Sequence, residues 1–502
     1  MQAYATFFLE FMEPFFKGIS MIFNGLIQGI WKMLNILNYI EVINNYKGSL
    51  SGIGIVVLII NIICLLGLFG LLIFIIVKII RKAIKYYKNM HKEEDLADEI
   101  DRLNSQVYKL KATNEKLLAM ANNEEEVEYD EDGNIINKLK DGESRFYKLT
   151  AIDEAMQNYE QTPGNNTINL KDFCTAFKNF SASRLKLYYT DKMIRLFVAA
   201  FASNRLIILE GISGTGKTSL AYAMGQMLKN DSIIASVQPS WRDNSELFGY
   251  FNEFTKKFNE SDVLSAMYEA KYKDDVYITI LDEMNIARVE YYFAEMLSVL
   301  ELPSKNDWVI ELVPNAWDND PKLLVQGKIR IPDNMWYVGT INNDDSTFMV
   351  TDKVYDRAMP IAINDKCEVF SAPDTEPIKL TSDYFQKLLN DANLEHPITQ
   401  EYLDKINLLD RYIINHFRLA FGNRIVKQLT QFVPAFVACG GDMLEGIDYV
   451  IAHKILRKFD QLNFSLIKNE VDGLISYFNE LFGENTMTEC LAYLDNFKKQ
   501  YR

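Results

Sequence analysis

Cysteine and histidine are scarce in this chain of 502 residues, which holds five of the first and four of the second. Cys64, Cys174, Cys367, Cys439 and Cys490 are scattered without a CxxC pair. That spacing argues against a disulfide framework and a zinc knuckle, and a reducing environment is the simplest reading for everything after the first eighty or so residues. His91, His396, His416 and His453 form no HExxH, which removes the basis for a metalloprotease of that type. Positive charge is also in deficit: the formal net charge is −15 and the pI is about 5.0. The field of the whole molecule therefore repels a polyanion, and only a local basic patch leaves direct nucleic-acid binding open. No nuclease constellation or second catalytic centre stands out, because outside an acidic linker carboxylates cluster on a strand exit only in the two motifs described below. A chain this long can bury at least two cores.

Charge disappears altogether from Ile53 to Val77, "IGIVVLIINIICLLGLFGLLIFIIV". As a helix this run crosses the hydrocarbon core of a bilayer, about 30 Å thick, and we expect a transmembrane helix within 51–80. Lys78, Arg81, Lys82, Lys85, Lys88 and Lys92 follow it, against Lys47 before it. The positive-inside rule then predicts a single-pass cell-membrane protein with its C-terminal bulk in the cytoplasm. Within 1–50, Phe15, Ile19, Ile22, Phe23, Leu26, Ile30 and Leu37 recur at helical spacing opposite Lys17, Asn24, Gln28 and Lys32. An amphipathic helix is expected there, on the membrane surface or in a bundle. It lacks the basic start and cleavage site of a signal peptide and is expected to stay.

Leu96, Leu103, Leu110 and Leu117 then occupy d positions and Ile100, Val107, Asn114 and Ala121 occupy a. That heptad pattern predicts a coiled coil over 92–121 that pairs with a second copy; a single helix lying on the next domain is the alternative. "NNEEEVEYDEDGN" opens a segment, 122–165, that reads as an acidic linker.

The stretch "GISGTGKTS", residues 211–219, lies between the apolar run "RLIIL" and the helical "SLAYAMGQML". Strand, glycine loop, helix is the setting in which GxxxxGK[ST] binds phosphate. Gly211 and Gly216 let backbone N–H groups approach the phosphates, and Ser213, Gly214, Thr215 and Ser219 complete the loop. Lys217 is expected to meet the β and γ phosphates, and Thr218 to ligate Mg²⁺. The strand "VYITILDEMN", 276–285, ends in Asp282, expected in the Mg²⁺ shell, and Glu283, expected to orient and deprotonate the attacking water. The strand "MWYVGTINNDD", 335–345, ends at Asn342, which can position that water; a plain turn former is the alternative. The pattern predicts an α/β P-loop fold with a parallel sheet flanked by helices.

These segments, together with "QPSWRDNSELFGYFN" (238–252), "LDEMNIARVEYYFAEML" (281–297), "GTINNDD" (339–345) and "TDKVYDRA" (351–358), resemble the AAA+ ATPases of the McrB-like branch, the motor subunits of modification-dependent restriction systems. The resemblance covers roughly residues 166–460; nothing before it matches the DNA-recognition domain of McrB proper. It implies an AAA+ nucleotide-binding domain at 166–365 and a helical lid with further helices at 366–502. It makes Lys217 and Thr218 the Walker A pair, Asp282 and Glu283 the Walker B pair, and Asn342 the sensor. Arg357 is similar to the arginine finger that completes a neighbour's site, and Arg288 is a second candidate for the subunit boundary. A surface ion pair is the alternative for either. Arg424 in "AFGNRIV" resembles a lid arginine reaching the nucleotide, with a helix-capping or packing role as the alternative.

McrB proper is a GTPase, and Asn342 with Asp345 satisfies its NxxD element; ATP is favoured here and GTP stays open. The resemblance further implies a ring, expected to be a hexamer, and a separately encoded McrC-like nuclease partner in antiviral defence. The alternatives are a membrane effector or signalling ATPase that disturbs the bilayer, and a membrane-tethered chaperone or remodelling ATPase.

Overall fold

A computed structural model divides the chain into two units, Met1–Glu126 and Val127–Arg502. It describes residues 142–342, 347–364, 366–462 and 464–500, with positions 21, 25, 28, 35, 40, 41, 44, 78, 128, 129, 135, 136 and 139 before them. In the first unit positions 21, 25, 28, 40, 41, 44 and 78 are helical. The expected membrane span, Ile53–Val77, and the expected coiled coil, 92–121, lie outside the described residues. Among the described residues no helix is long and apolar enough to cross a membrane.

The second unit begins with a short antiparallel strand pair, Glu128–Tyr129 with Ile135–Ile136. Helix α1 (Tyr147–Ala155) follows. Both fall in the segment expected as a solvated linker, and from residue 142 onward that expectation needs correcting. Phe146 and Leu149 are fully buried, and Phe146 stacks on Phe258 with ring centroids 4.8 Å apart. Arg145 forms a two-pronged pair with Asp320, at 2.8 and 2.7 Å, beneath the Trp317 ring. The charge of 122–134 hid the apolar spacing of Phe146, Leu149 and Ile152 that anchors the segment to the domain.

The helices after it start where short polar side chains can take over unpaired N–H groups. In α2 (Leu170–Arg184) the Asn169 side chain accepts from Asp172 N, and in α3 (Asp191–Ser203) Thr190 accepts from Met193 N. Helix α4 (Lys217–Met227) instead springs from Gly216 in the left-handed region. Thr381 and Thr399 cap α5 (Ser382–Glu395) and α6 (Gln400–Phe417). Helix α7 (Gly422–Ala438) carries Pro434 in its interior, and Asp442 caps α8 (Met443–Val450). Helices α9 (Phe464–Phe482) and α10 (Thr488–Gln500) close the chain.

Five strands form the central sheet: β1 (Leu206–Gly211), β2 (Ile233–Ser236), β3 (Tyr277–Asp282), β4 (Met335–Asn342) and β5 (Ala358–Ala362). They lie in the order β5-β1-β4-β3-β2, every pair parallel. A five-stranded parallel sheet flanked by helices is the α/β architecture that the strand-and-helix pattern predicts. Strand side chains alternate between two cores, as the period of two requires. Ile207 and Leu209 of β1, Ile278 and Ile280 of β3, and Trp336 and Val338 of β4 enter one. Leu206, Ile208, Tyr277, Leu281, Met335 and Tyr337 enter the other. The first core runs on without a break into α5 to α10. The boundary expected at 365/366 thus divides the sequence, while the core passes across it.

Candidate nucleotide site

Parallel strands deliver their C-terminal ends to one edge of the sheet, and register decides which residues meet there. Gly211 pairs with Asn342, and Leu281 pairs with Gly339. Asp282 therefore lies level with Thr340, with one strand, β4, between it and the glycine loop. Gly211 has φ +147°, and a Cβ on it would stand 2.3 Å from the Ile363 carbonyl oxygen. The close approach of the chain leaving β5 leaves no room for any other residue. Gly214 and Gly216 are also left-handed, at φ +79° and +87°. Tyr189, ahead of α3, donates its hydroxyl to Gly216 O at 3.0 Å. Burial pushes the Tyr189 phenol well above its ordinary value, so it remains a donor. It props the loop from beneath.

Lys217 is buried, and its Nζ donates to Gly211 O at 3.1 Å and Ile212 O at 2.8 Å. The Thr215 hydroxyl donates to Ile212 O at 3.0 Å, which closes the loop on itself, while Ser213 and Gly214 are exposed. Thr218 and Ser219 are half-buried at the start of α4. The Thr218 hydroxyl donates to Asp282 Oδ1 at 2.7 Å, and the Thr340 hydroxyl donates to the same oxygen at 3.0 Å. Glu283 adopts φ +53° and ψ +46°, unusual for a residue with a side chain. Its N–H donates to Thr340 Oγ1 at 2.9 Å, and Asn342 Nδ2 donates to its Oε1 at 3.2 Å. The register of the sheet edge thus links two hydroxyls, two carboxylates and an amide in one row. Thr218 and Asp282 supply hard oxygen donors 2.7 Å apart, a set that fits Mg²⁺.

Two neighbours of this row escaped the sequence reading. Thr340 bridges Asp282 and Glu283; it is an inward-facing strand residue whose only signal was a hydroxyl in an apolar run. Asn285 is buried, and its Nδ2 donates to Asn342 O at 3.0 Å. The Phe348 N–H in turn donates to Asn285 O at 2.8 Å. Asn285 ties the exits of β3 and β4 together, and its place in "DEMN" was legible. Asp344 and Asp345 lie outside the described residues.

The arginines lie elsewhere. Ala358 pairs with Leu206 at the start of β1, so Arg357 sits at the N-terminal edge of the sheet. The length of β1, roughly 17 Å at about 3.3 Å per residue, separates it from the glycine loop of its own chain. Arg357 Nη1 donates to Leu297 O at 2.7 Å and lies 3.3 Å from Glu301. Arg424 makes a two-pronged contact with the same Glu301, at 2.7 and 2.8 Å. Arg424, expected as a lid arginine reaching the nucleotide, lies near the start of α7 and stands beside Arg357 on Glu301. Arg288 lies over the Phe348 and Tyr291 rings, its carbon 5.2 and 5.7 Å from their centroids.

No family model matches the chain, and no curated protein matches it. Among solved structures the chain is similar to a full-length MCM homolog from Methanopyrus kandleri, at 12% identity and a TM-score of 0.30. The match covers 61% of this chain and 60% of that one, so the chain spans less than two thirds of the length of that protein. The likeness is too weak to bear on the site.

Proposed function

We propose that the chain is a Mg²⁺-dependent NTP hydrolase, with ATP favoured over GTP, that works as a ring in which each site is finished by a neighbour. The observation that supports this most directly is the division of the expected parts between the two sheet edges. Lys217, Thr218, Asp282, Glu283 and Asn342 share one edge, whereas Arg357 occupies the other and lies out of reach of its own loop. Lys217 and the loop N–H groups would bind the phosphates, and Thr218 and Asp282 would hold the metal ion. Mg²⁺ when bound supplies neutralisation of phosphate charge. Glu283 takes the proton of the attacking water, and Asn342 holds the Glu283 carboxylate in place for it. Arg357 leaves Glu301 for the phosphate of the adjoining subunit, where it balances developing charge; Arg424 joins it at that boundary.

The motif set further supports an McrB-like motor, membrane-anchored through 51–80 and paired through 92–121, acting in antiviral defence with an McrC-like nuclease. A nuclease gene beside this one is the observation that tests that setting. The core of the reading is tested by Arg357→Ala in the full-length chain. Hydrolysis should fall by about a thousandfold while nucleotide binding holds, and mixing with Lys217→Ala subunits should restore turnover. A normal rate in Arg357→Ala would overturn it.

A further inference from the structure

Arg357 lies in a turn whose carbonyl groups are all held. Lys454 Nζ donates to Tyr355 O and Ala358 O, each at 2.7 Å, with a longer contact to Asp356 O at 3.4 Å. Gln428 Nε2 donates to Asp356 O at 2.9 Å, and Asn204 Nδ2 donates to Arg357 O at 2.9 Å. Lys454 is only 3% exposed. A buried ammonium is expensive unless its donors are met, and its three N–H groups face three carbonyls here.

The residues that follow Lys454 at helical spacing reach the same segment. Arg457 lies 3.0 Å from the Tyr355 ring centroid and 3.7 Å from Asp352, and Lys458 pairs with Asp356 at 2.9 Å. Gln461 Nε2 donates to Asp352 at 2.8 Å. Lys454 sits in a π-helical turn, Ile451–Ile455, that interrupts the run from α8 into the 3₁₀ turn Leu456–Gln461. Such turns are rare, shift the facing of side chains, and concentrate at functional positions. Tyr355, gripped at its carbonyl by Lys454, donates its hydroxyl to Glu210 at 2.8 Å, next to Gly211 of the phosphate loop.

We propose that Lys454 is the positioning residue for Arg357, fixing the backbone from which Arg357 is presented to a neighbouring subunit, so that the C-terminal helices set the rate of hydrolysis in trans. The proposal rests on the reading of Arg357 above. Burial pushes the Lys454 ammonium down to about 7; Asp356 opposes the fall, and Lys458, Arg424 and Arg457 add to it. Loss of its proton leaves two donors for three carbonyls. Trans hydrolysis should therefore decline as pH rises through that value. Stability has the opposite sign. Above about 7 and below the ordinary lysine value, the unfolded chain keeps a proton that the folded chain has released, so folding gains as pH rises. A purely structural lysine gives the second trend without the first.

The test uses the full-length chain. Lys454→Met should lower kcat by roughly 10- to 100-fold, the scale of a displaced catalytic group, with ATP affinity unchanged and the alkaline decline in rate gone. Mixing with Lys217→Ala subunits, whose own site is dead and whose Arg357 turn is intact, should restore turnover. If the same mixing rescues Arg357→Ala and leaves Lys454→Met inactive, the proposal fails while the Arg357 reading stands. If neither is rescued, the Arg357 reading itself fails. Should Lys454→Met not bind ATP because it misfolds, Lys454→Arg and the wild type decide. The wild-type rate must decline between about pH 6 and 9, and the permanently charged Lys454→Arg must flatten that decline; a flat wild-type profile overturns the proposal.

Discussion

Replacing Glu283 with alanine and with glycine isolates the effect of its backbone conformation. Both variants lose the carboxylate and its 3.2 Å contact with Asn342, so that loss cancels between them. What differs is the left-handed backbone, φ +53° and ψ +46°. A Cβ there costs about 1–2 kcal/mol, offset by the roughly 0.4–1 kcal/mol that alanine gains by restricting the unfolded chain. Glycine should be the more stable of the two by about 0.5–1 kcal/mol. In a domain of this size that is a rise in Tm of roughly 1–4 °C, at about 2–4 °C per kcal/mol. The comparison belongs in thermal melts without nucleotide, because a bound ligand shifts Tm by mass action. Turnover should fall in both variants and in Glu283→Gln by roughly 100- to 10,000-fold, the range of a positioned general base. Alanine melting above glycine would show that the backbone is not strained at this position. Ordinary turnover in Glu283→Gln would remove the assigned role.

Two further outcomes follow from the packing. Phe146→Ala should destabilise the folded chain by about 3–5 kcal/mol, read as a lower denaturation midpoint, since Phe146 is fully buried against Phe258; an unchanged midpoint would return residues 142–165 to the status of a linker. At the C-terminal end, the His453 ring and the Lys192 ammonium hold the Glu489 carboxyl down at about 2. The ring stands 3.7 Å away, long for a hydrogen bond, whereas the ammonium is at 2.8 Å, so the Lys192 contact carries the prediction. The stabilisation is present above the ordinary carboxyl value and is lost as pH falls toward about 2. Lys192→Met should move the acid-unfolding midpoint to higher pH, followed by circular dichroism, and a midpoint that stays in place would refute the assignment.

The strand–glycine loop–helix order was legible because its requirements are local: Gly216 is left-handed at the start of α4, and the apolar runs around Ile207, Ile280 and Val338 mark strands by composition. Asp282, Glu283 and Asn342 were legible as strand exits for the same reason. Phe146 and Leu149 were not, because a short amphipathic turn after a charged run reads as linker until a core is present to receive it. Thr340 and Tyr189 act through partners far away in the chain, and nothing in their own neighbourhoods marks them.

The expectation of a glycine loop with a hydroxyl and carboxylates at the strand exits followed from local rules, since glycine freedom and strand-then-helix patterning act over a few residues. Which edge each residue occupies came only with the folded chain. Strand order and register bring Asp282 and Asn342 to the loop and carry Arg357 to the opposite edge. The packing of α7 sets Arg424 on Glu301, beside Arg357. The burial of Lys454 against the carbonyls around Arg357 belongs to the same class. It depends on a contact between residues about a hundred positions apart, made where the core of the sheet continues into the C-terminal helices.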